Sequence, residues 1–160
     1  EDAAALARAV KFPPLGQRGL DGAGLDNAFY LAGTAGYQAA ANAETFLMVQ
    51  IETPEAVVAV DRIAAIPGID GLFIGPGDLS LRLDCPLDWK NPKMIAAEDA
   101  VAAAAARHGI AWGRPSGTAE DIAALAKKGA RLIAHGSDFG AVMKMMPAFG
   151  QTMNEGLGES

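Results

Sequence analysis

A chain of 160 residues with about half apolar and a fifth charged side chains has room for one globular unit of ordinary size. Its net charge of −6 argues against a nucleic-acid surface or a basic membrane patch, both of which need clustered Lys and Arg. One cysteine, Cys85, cannot form an internal disulfide, and no Cys/His cluster supplies a thiolate zinc site.

Residues 1–10 read as the last turns of a helix already under way, so the chain is expected to begin inside a fold. No charged segment followed by an apolar core opens it, no apolar run reaches bilayer length, and a cytoplasmic location is expected. Residues 11–24 carry four glycines and a Pro-Pro pair and read as loop. A short helix is predicted near Tyr37–Ala43. Thr45–Thr53 is a strand by length and β-branched content. Thr53, Pro54 and Glu55 then start a helix to about Ala65 with a cap, a proline at the first helical position and an early acid. Ile69–Gly75 is a second apolar strand, stopped by Gly75-Pro76-Gly77. A loop around Cys85–Pro92 leads to an Ala-rich helix over Lys93–His108, closed by Gly109. Ile110–Gly113 is a third strand. Thr118 caps a helix that ends at Gly129, Arg131–His135 is a fourth strand, and Ser137-Asp138 opens a last helix to about Phe149. Residues 151–160 read as a frayed tail beyond a domain over 1–150.

Strands alternating with helices imply parallel pairing with right-handed crossovers. Four such units make either a small open α/β sheet or half of an eight-stranded barrel. In the first strand Phe46, Met48, Gln50 and Glu52 share one face, and Leu47, Val49, Ile51 and Thr53 the other. Gln50 and Glu52 therefore stand on one face near the carboxyl end, where ligands bind in α/β sheets and barrels. The alternatives are a helix-start acid or a strand-end salt bridge for Glu52 and a satisfied core amide for Gln50, but the pair on one inward face is more informative than either residue. Asp78 follows the second strand and could be a turn or N-cap residue. Two carboxylates converging at one rim repel unless a cation or shared proton relieves them, and two hard oxygen ligands suit Mg²⁺ or Mn²⁺.

Gln50-Ile51-Glu52-Thr53 followed by Phe73-Ile74-Gly75-Pro76-Gly77-Asp78-Leu79-Ser80 resembles the HpcH/HpaI aldolase/citrate lyase family, and within it the metal-dependent, pyruvate-specific (class II) aldolases. Lys11-Phe12-Pro13-Pro14-Leu15-Gly16-Gln17-Arg18-Gly19 is similar to that family's Tyr-Pro-Pro…Arg-Gly loop, with Phe12 in place of Tyr. The resemblance implies a (β/α)8 TIM barrel of which this chain covers the C-terminal half. It implies that Glu52 and Asp78 bind the divalent metal, with Mg²⁺ or Mn²⁺ first and Co²⁺ a third candidate. Gln50 would contact the substrate, and Gly77 and Asp78 would present backbone N–H groups to its carboxylate. The implied reaction is reversible cleavage of a 4-hydroxy-2-oxo acid to pyruvate and an aldehyde, in a homo-oligomer that is hexameric by resemblance.

The family's His base and carboxylate-binding Arg lie on earlier strands that have no counterpart in these residues. His108 follows the Ala-rich helix, where a cation suits the C-terminus. His135 closes the fourth strand and reads as structural. Arg18 reads as a loop anchor or subunit contact, Arg114 as a mouth residue and Trp112 as core. No lysine reads as a Schiff-base residue. Two rivals are a malyl- or citramalyl-CoA type lyase of the same superfamily and a non-catalytic half-barrel that needs its N-terminal half.

Overall fold

The computed structural model of the chain describes residues 1–20, 24–25, 29 and 35–158. Residues 21–23 of the loop predicted over 11–24 lie outside the described residues. The elements run α1 (Asp2–Val10), α2 (Tyr37–Glu44), β1 (Met48–Ile51), α3 (Pro54–Val58), α4 (Val60–Ala64), β2 (Gly71–Ile74), α5 (Pro76–Arg82), α6 (Pro92–His108), β3 (Ala111–Pro115), α7 (Ala119–Lys127), β4 (Leu132–Ala134) and α8 (Asp138–Leu157). The four strands form one parallel sheet in the order β1-β2-β3-β4, as alternation of strand and helix requires.

The start signals act as their chemistry predicts. Thr53 Oγ1 accepts the Ala56 N–H at 3.0 Å, and Thr118 Oγ1 accepts that of Asp121 at 3.2 Å. Gly109, at φ 68°, closes α6. Three local departures have identifiable causes. The helix expected over Pro54–Ala65 divides into α3 and α4 at Ala59, whose φ and ψ of −90° and 0° leave the helical well. Pro76 and Gly77 do not merely stop β2; they form the first turn of α5, where proline's missing N–H costs nothing. The tail expected to be irregular is helical to Leu157, because nothing after Pro147 breaks the ladder until Gly158 turns left-handed at φ 68°.

The core lies on one side of the sheet. Val49 and Ile51, Leu72 and Ile74, and Trp112 point into it and meet Val60, Ala64, Met94, Val101 and Leu125 from the helices. Each such large side chain stabilises the fold by roughly 1.5–3 kcal/mol through removal from water. Gly113 sits on the opposite face, with the Leu132 carbonyl oxygen 1.6 Å from where a Cβ would stand. Only glycine lets β4 approach β3 there. Leu132 and Ala134 are exposed, as is Gln50. A parallel sheet with one covered and one open face is a barrel wall seen without its full circumference. All described side chains of α8 are unburied, and its Phe139, Val142, Met146, Phe149 and Met153 are exposed. Among the described residues no helix is long and apolar enough to cross a membrane.

The amino-terminal end of the sheet is locked by a residue that composition did not single out. Lys11 is 4% exposed, and its Nζ donates to the carbonyls of Asn42 and Thr45 and pairs with Asp70 Oδ2 at 3.4 Å. Asp70 also accepts the Leu47 N–H at 2.8 Å, so one ion pair fixes the starts of β1 and β2 to the chain after α1.

Candidate active site

Parallel register sets Ile51 beside Ile74, and the Gly75 N–H donates to the Ile51 carbonyl at 3.0 Å. Glu52 is thereby next to Gly75 at the carboxyl rim, and Asp78 is the third residue of the helix that begins one step later. Strand alternation turns Val49 and Ile51 into the core and leaves Gln50 exposed on the open face. Gln50 Nε2 donates to Glu52 Oε2 at 2.5 Å, which orients the carboxylate and leaves its other oxygen available. An open cleft of about 550 Å³ along the free edge of β1 is lined by Gln50, Glu52 and Thr53, with Leu6 of α1 and Glu55 and Ile63 opposite.

Gly75 makes this arrangement possible. A Cβ there would lie 2.5 Å from Gln50 Nε2 and 3.0 Å from both Glu52 Cβ and Oε2. Its φ of −87° is ordinary, so the requirement is space and not backbone conformation. Asp78 is exposed in the first turn of α5 and is not its cap; Gly75 holds that position. The first i→i−4 bond of α5 runs from Leu79 N to Gly75 O at 3.2 Å, so the N–H groups of Gly77 and Asp78 precede the ladder. Among the described residues no group of three or more His, Cys, Asp or Glu side chains is gathered at metal distance. Glu52 at the Gly75 hollow and the exposed Asp78 in the first turn of α5 each offer hard carboxylate oxygens, the donor type that a cation of the Mg²⁺ kind takes while keeping positions for water and substrate.

The other singled-out residues have different settings. Arg114 is a correction: it is 4% exposed and faces the helices, not the mouth. It shares the core-facing side of β3 with Trp112. Its Nε meets Glu98 at 2.5 Å, its two terminal nitrogens grip Asp121 at 2.7 and 2.8 Å, and its guanidinium stacks 4.0 Å over the Trp89 ring. Burial disfavours its charge, but the bonds to Asp121 and Glu98 outweigh that and raise its pKa. The Arg114 hydrogen bonds hold the Asp121 carboxyl below the usual carboxylate range, assisted by Ser116 at 2.7 Å. His135 Nδ1 lies 2.9 Å from the Ser116 carbonyl, a structural tie at the end of β4. His108 Nε2 is 3.3 Å from Asp61, beside the Arg107–Asp61 pair. Arg18 stacks 4.6 Å over the Phe12 ring, anchoring the loop within the chain. Trp112 is in the core at 3% exposure.

These features define an α/β protein whose parallel sheet is part of a (β/α)8 barrel and carries two carboxylates at its carboxyl rim. Residues 1–144 match the HpcH/HpaI aldolase/citrate lyase family model, and the chain belongs to that family. The chain is 35% identical over 158 residues to the 5-keto-4-deoxy-D-glucarate aldolase of Klebsiella pneumoniae subsp. pneumoniae, covering 93% of this chain and 59% of the relative. It is 39% identical over 97 residues to the hydroxypyruvate/pyruvate aldolase of Sagittula stellata, covering 61% of this chain and 38% of that protein. Among solved structures, the HpcH/HpaI aldolase from Desulfitobacterium hafniense superposes with a TM-score of 0.83 at 31% identity, over 93% of this chain and 57% of the other. The chain thus spans at most about three fifths of the length of these relatives.

Proposed function

We propose that the protein is a divalent-metal-dependent, pyruvate-specific aldolase that reversibly cleaves a 4-hydroxy-2-oxo acid, such as a 2-keto-3-deoxy sugar acid, to pyruvate and an aldehyde. The observation that carries this reading is the Gln50–Glu52 pair set against the hollow at Gly75, one strand from Asp78. Glu52 and Asp78 would hold Mg²⁺ or Mn²⁺, with Co²⁺ as a further candidate. When bound, such a cation would supply Lewis-acid stabilisation of the negative charge that develops on the pyruvyl oxygens. Gln50 keeps the Glu52 carboxylate aimed and faces the substrate from the open side of β1. The Gly77 and Asp78 N–H groups, unspent by the helix, receive the substrate carboxylate. As the C3–C4 bond breaks, the 4-hydroxyl proton goes to a base contributed from outside these residues, because His108 and His135 are engaged elsewhere. The 160-residue chain alone is accordingly inactive. The exposed apolar side chains of α8 favour assembly as a homo-oligomer.

Pyruvate release from a 4-hydroxy-2-oxo acid, assayed with and without Mn²⁺ on the full-length protein, tests the reading. Glu52→Ala and Asp78→Ala are each expected to lower turnover by at least about a hundredfold and remove its metal dependence. Wild-type rates in either variant would show the carboxylates to be structural.

A further inference from the structure

Ser80 closes the motif that begins at Gly75, and the reaction proposed above gives it no task. It is 0% exposed in α5, two residues after Asp78. Its Oγ donates to the Gly77 carbonyl at 3.1 Å and accepts the Leu87 N–H at 2.9 Å. A serine that bonds back to the carbonyl three residues earlier is ordinary in a helix. The second bond is not local. Leu87 lies beyond the helix in the Asp84–Asp88 loop, at φ 54°, a left-handed conformation that non-glycine residues adopt rarely. Because the Leu87 N–H occupies a lone pair of Oγ, the hydroxyl hydrogen is left to point at Gly77.

That hydrogen bond acts in the first turn of α5, whose leading N–H groups have no partner within the helix. A Cβ built on Gly77 would meet nothing within 4 Å beyond its own helix backbone, so this side of the turn is not packed against the rest of the fold. The Gly77 carbonyl and the Asp78 nitrogen belong to one planar peptide, and tilting that plane swings the Asp78 Cα and its carboxylate together. We infer that Ser80 is a positioning residue for Asp78: braced by the Leu87 N–H, it holds the Gly77–Asp78 peptide so that the Asp78 carboxylate meets a divalent cation jointly with Glu52. The inference rests on the metal-site reading above and adds to it a link between the Asp84–Asp88 loop and the ligand geometry.

Equilibrium Mn²⁺ binding to the full-length protein, followed by electron paramagnetic resonance without substrate, separates this role from a merely structural one. Ser80→Ala is expected to weaken Mn²⁺ binding about tenfold, the lower end of what outer partners of a metal ligand supply. Ser80→Cys, nearly the same size but a weak donor, is expected to lose about threefold and stands in should the alanine variant fail to fold. A structural serine would lower the melting temperature and leave the Mn²⁺ affinity of the folded protein at the wild-type value, and that result in either variant overturns the inference. Absence of Mn²⁺ binding by the wild type would instead refute the metal-site reading itself.

Discussion

Gly75→Ala separates the site from the fold more cleanly than removal of either carboxylate. The backbone at Gly75, φ −87° and ψ 94°, suits alanine, so no conformational penalty arises. The new methyl would stand 2.5 Å from Gln50 Nε2, and ordinary contact requires at least 3.4 Å. The amide is the free end of a flexible, exposed side chain and retreats by roughly an ångström, which breaks its 2.5 Å bond to Glu52. Glu52 has less freedom, because its Cβ is also 3.0 Å from the methyl. A hydrogen bond to a charged group contributes about 1.5–3 kcal/mol when sheltered and nearer 1 kcal/mol in an exposed pair such as this. Misplacing a reacting group by about 1 Å costs up to a hundredfold in rate. The expected outcome is a fall in kcat/KM for aldol cleavage of about ten- to a hundredfold, with a chemical-denaturation stability within about 1 kcal/mol of wild type. A variant with undiminished kcat/KM would show that the hollow at Gly75 has no part in the chemistry, and one that unfolds would show that Gly75 serves packing.

Two further outcomes follow from the Arg114 cluster. Arg114→Met removes the bidentate partner of Asp121 and one of the two cations on Glu98, which keeps Lys128 at 2.7 Å, and should cost about 3 kcal/mol in urea denaturation; a loss under about 1 kcal/mol would mean the cluster is not coupled to folding. Arg114 holds the folded-state pKa of Asp121 below its unfolded value near 3.9, so the stabilisation is present above about pH 4 and lost as pH falls through the folded pKa. The melting-temperature gap between wild type and Asp121→Asn should therefore be constant from pH 7 to 5 and shrink below pH 4, and a gap that widened on acidification would reverse the sign of this coupling.

Much of the architecture was legible because the sequence writes its punctuation in residues with one dominant use. Thr53 before Pro54, Thr118 before Asp121 and Gly109 after His108 each mark a helix end through a single hydrogen bond or backbone conformation. The Gln50/Glu52 face was legible for the same reason, since alternation in a strand has no freedom once Val49 and Ile51 are taken into the core. The end of β2 at Gly75 was legible, but the helix α5 that follows was not, because proline and glycine serve equally in a turn and in the first turn of a helix. Arg114 misled for a different reason. Its charge suggested solvent, yet strand parity with Trp112 already put it in the core layer, and Glu98 and Asp121 on the flanking helices were its visible partners. Lys11 carried no local signal, because its acceptors on Asn42, Thr45 and Asp70 come together only in the folded chain.

The two ends of the sheet divide the work between them. At the amino-terminal end, Lys11 and Asp70 are satisfied within the protein: Asp70 takes the Leu47 N–H through its side chain and the Ala111 N–H, at 3.0 Å, through its carbonyl, which joins three strands at their starts. At the carboxyl end Gly75 makes room, Gly77 has open space around it and Asp78 is exposed, so hydrogen-bonding capacity remains unspent. In a parallel barrel this is the direction in which chemistry and stability separate. The separation is physical: a closed set of hydrogen bonds stabilises but cannot bind, and a set left open binds only if something else holds it in place. The Gln50 amide supplies that support directly to Glu52 at the open rim, while Arg114 ties β3 to Glu98 and Asp121 on the helices behind the sheet.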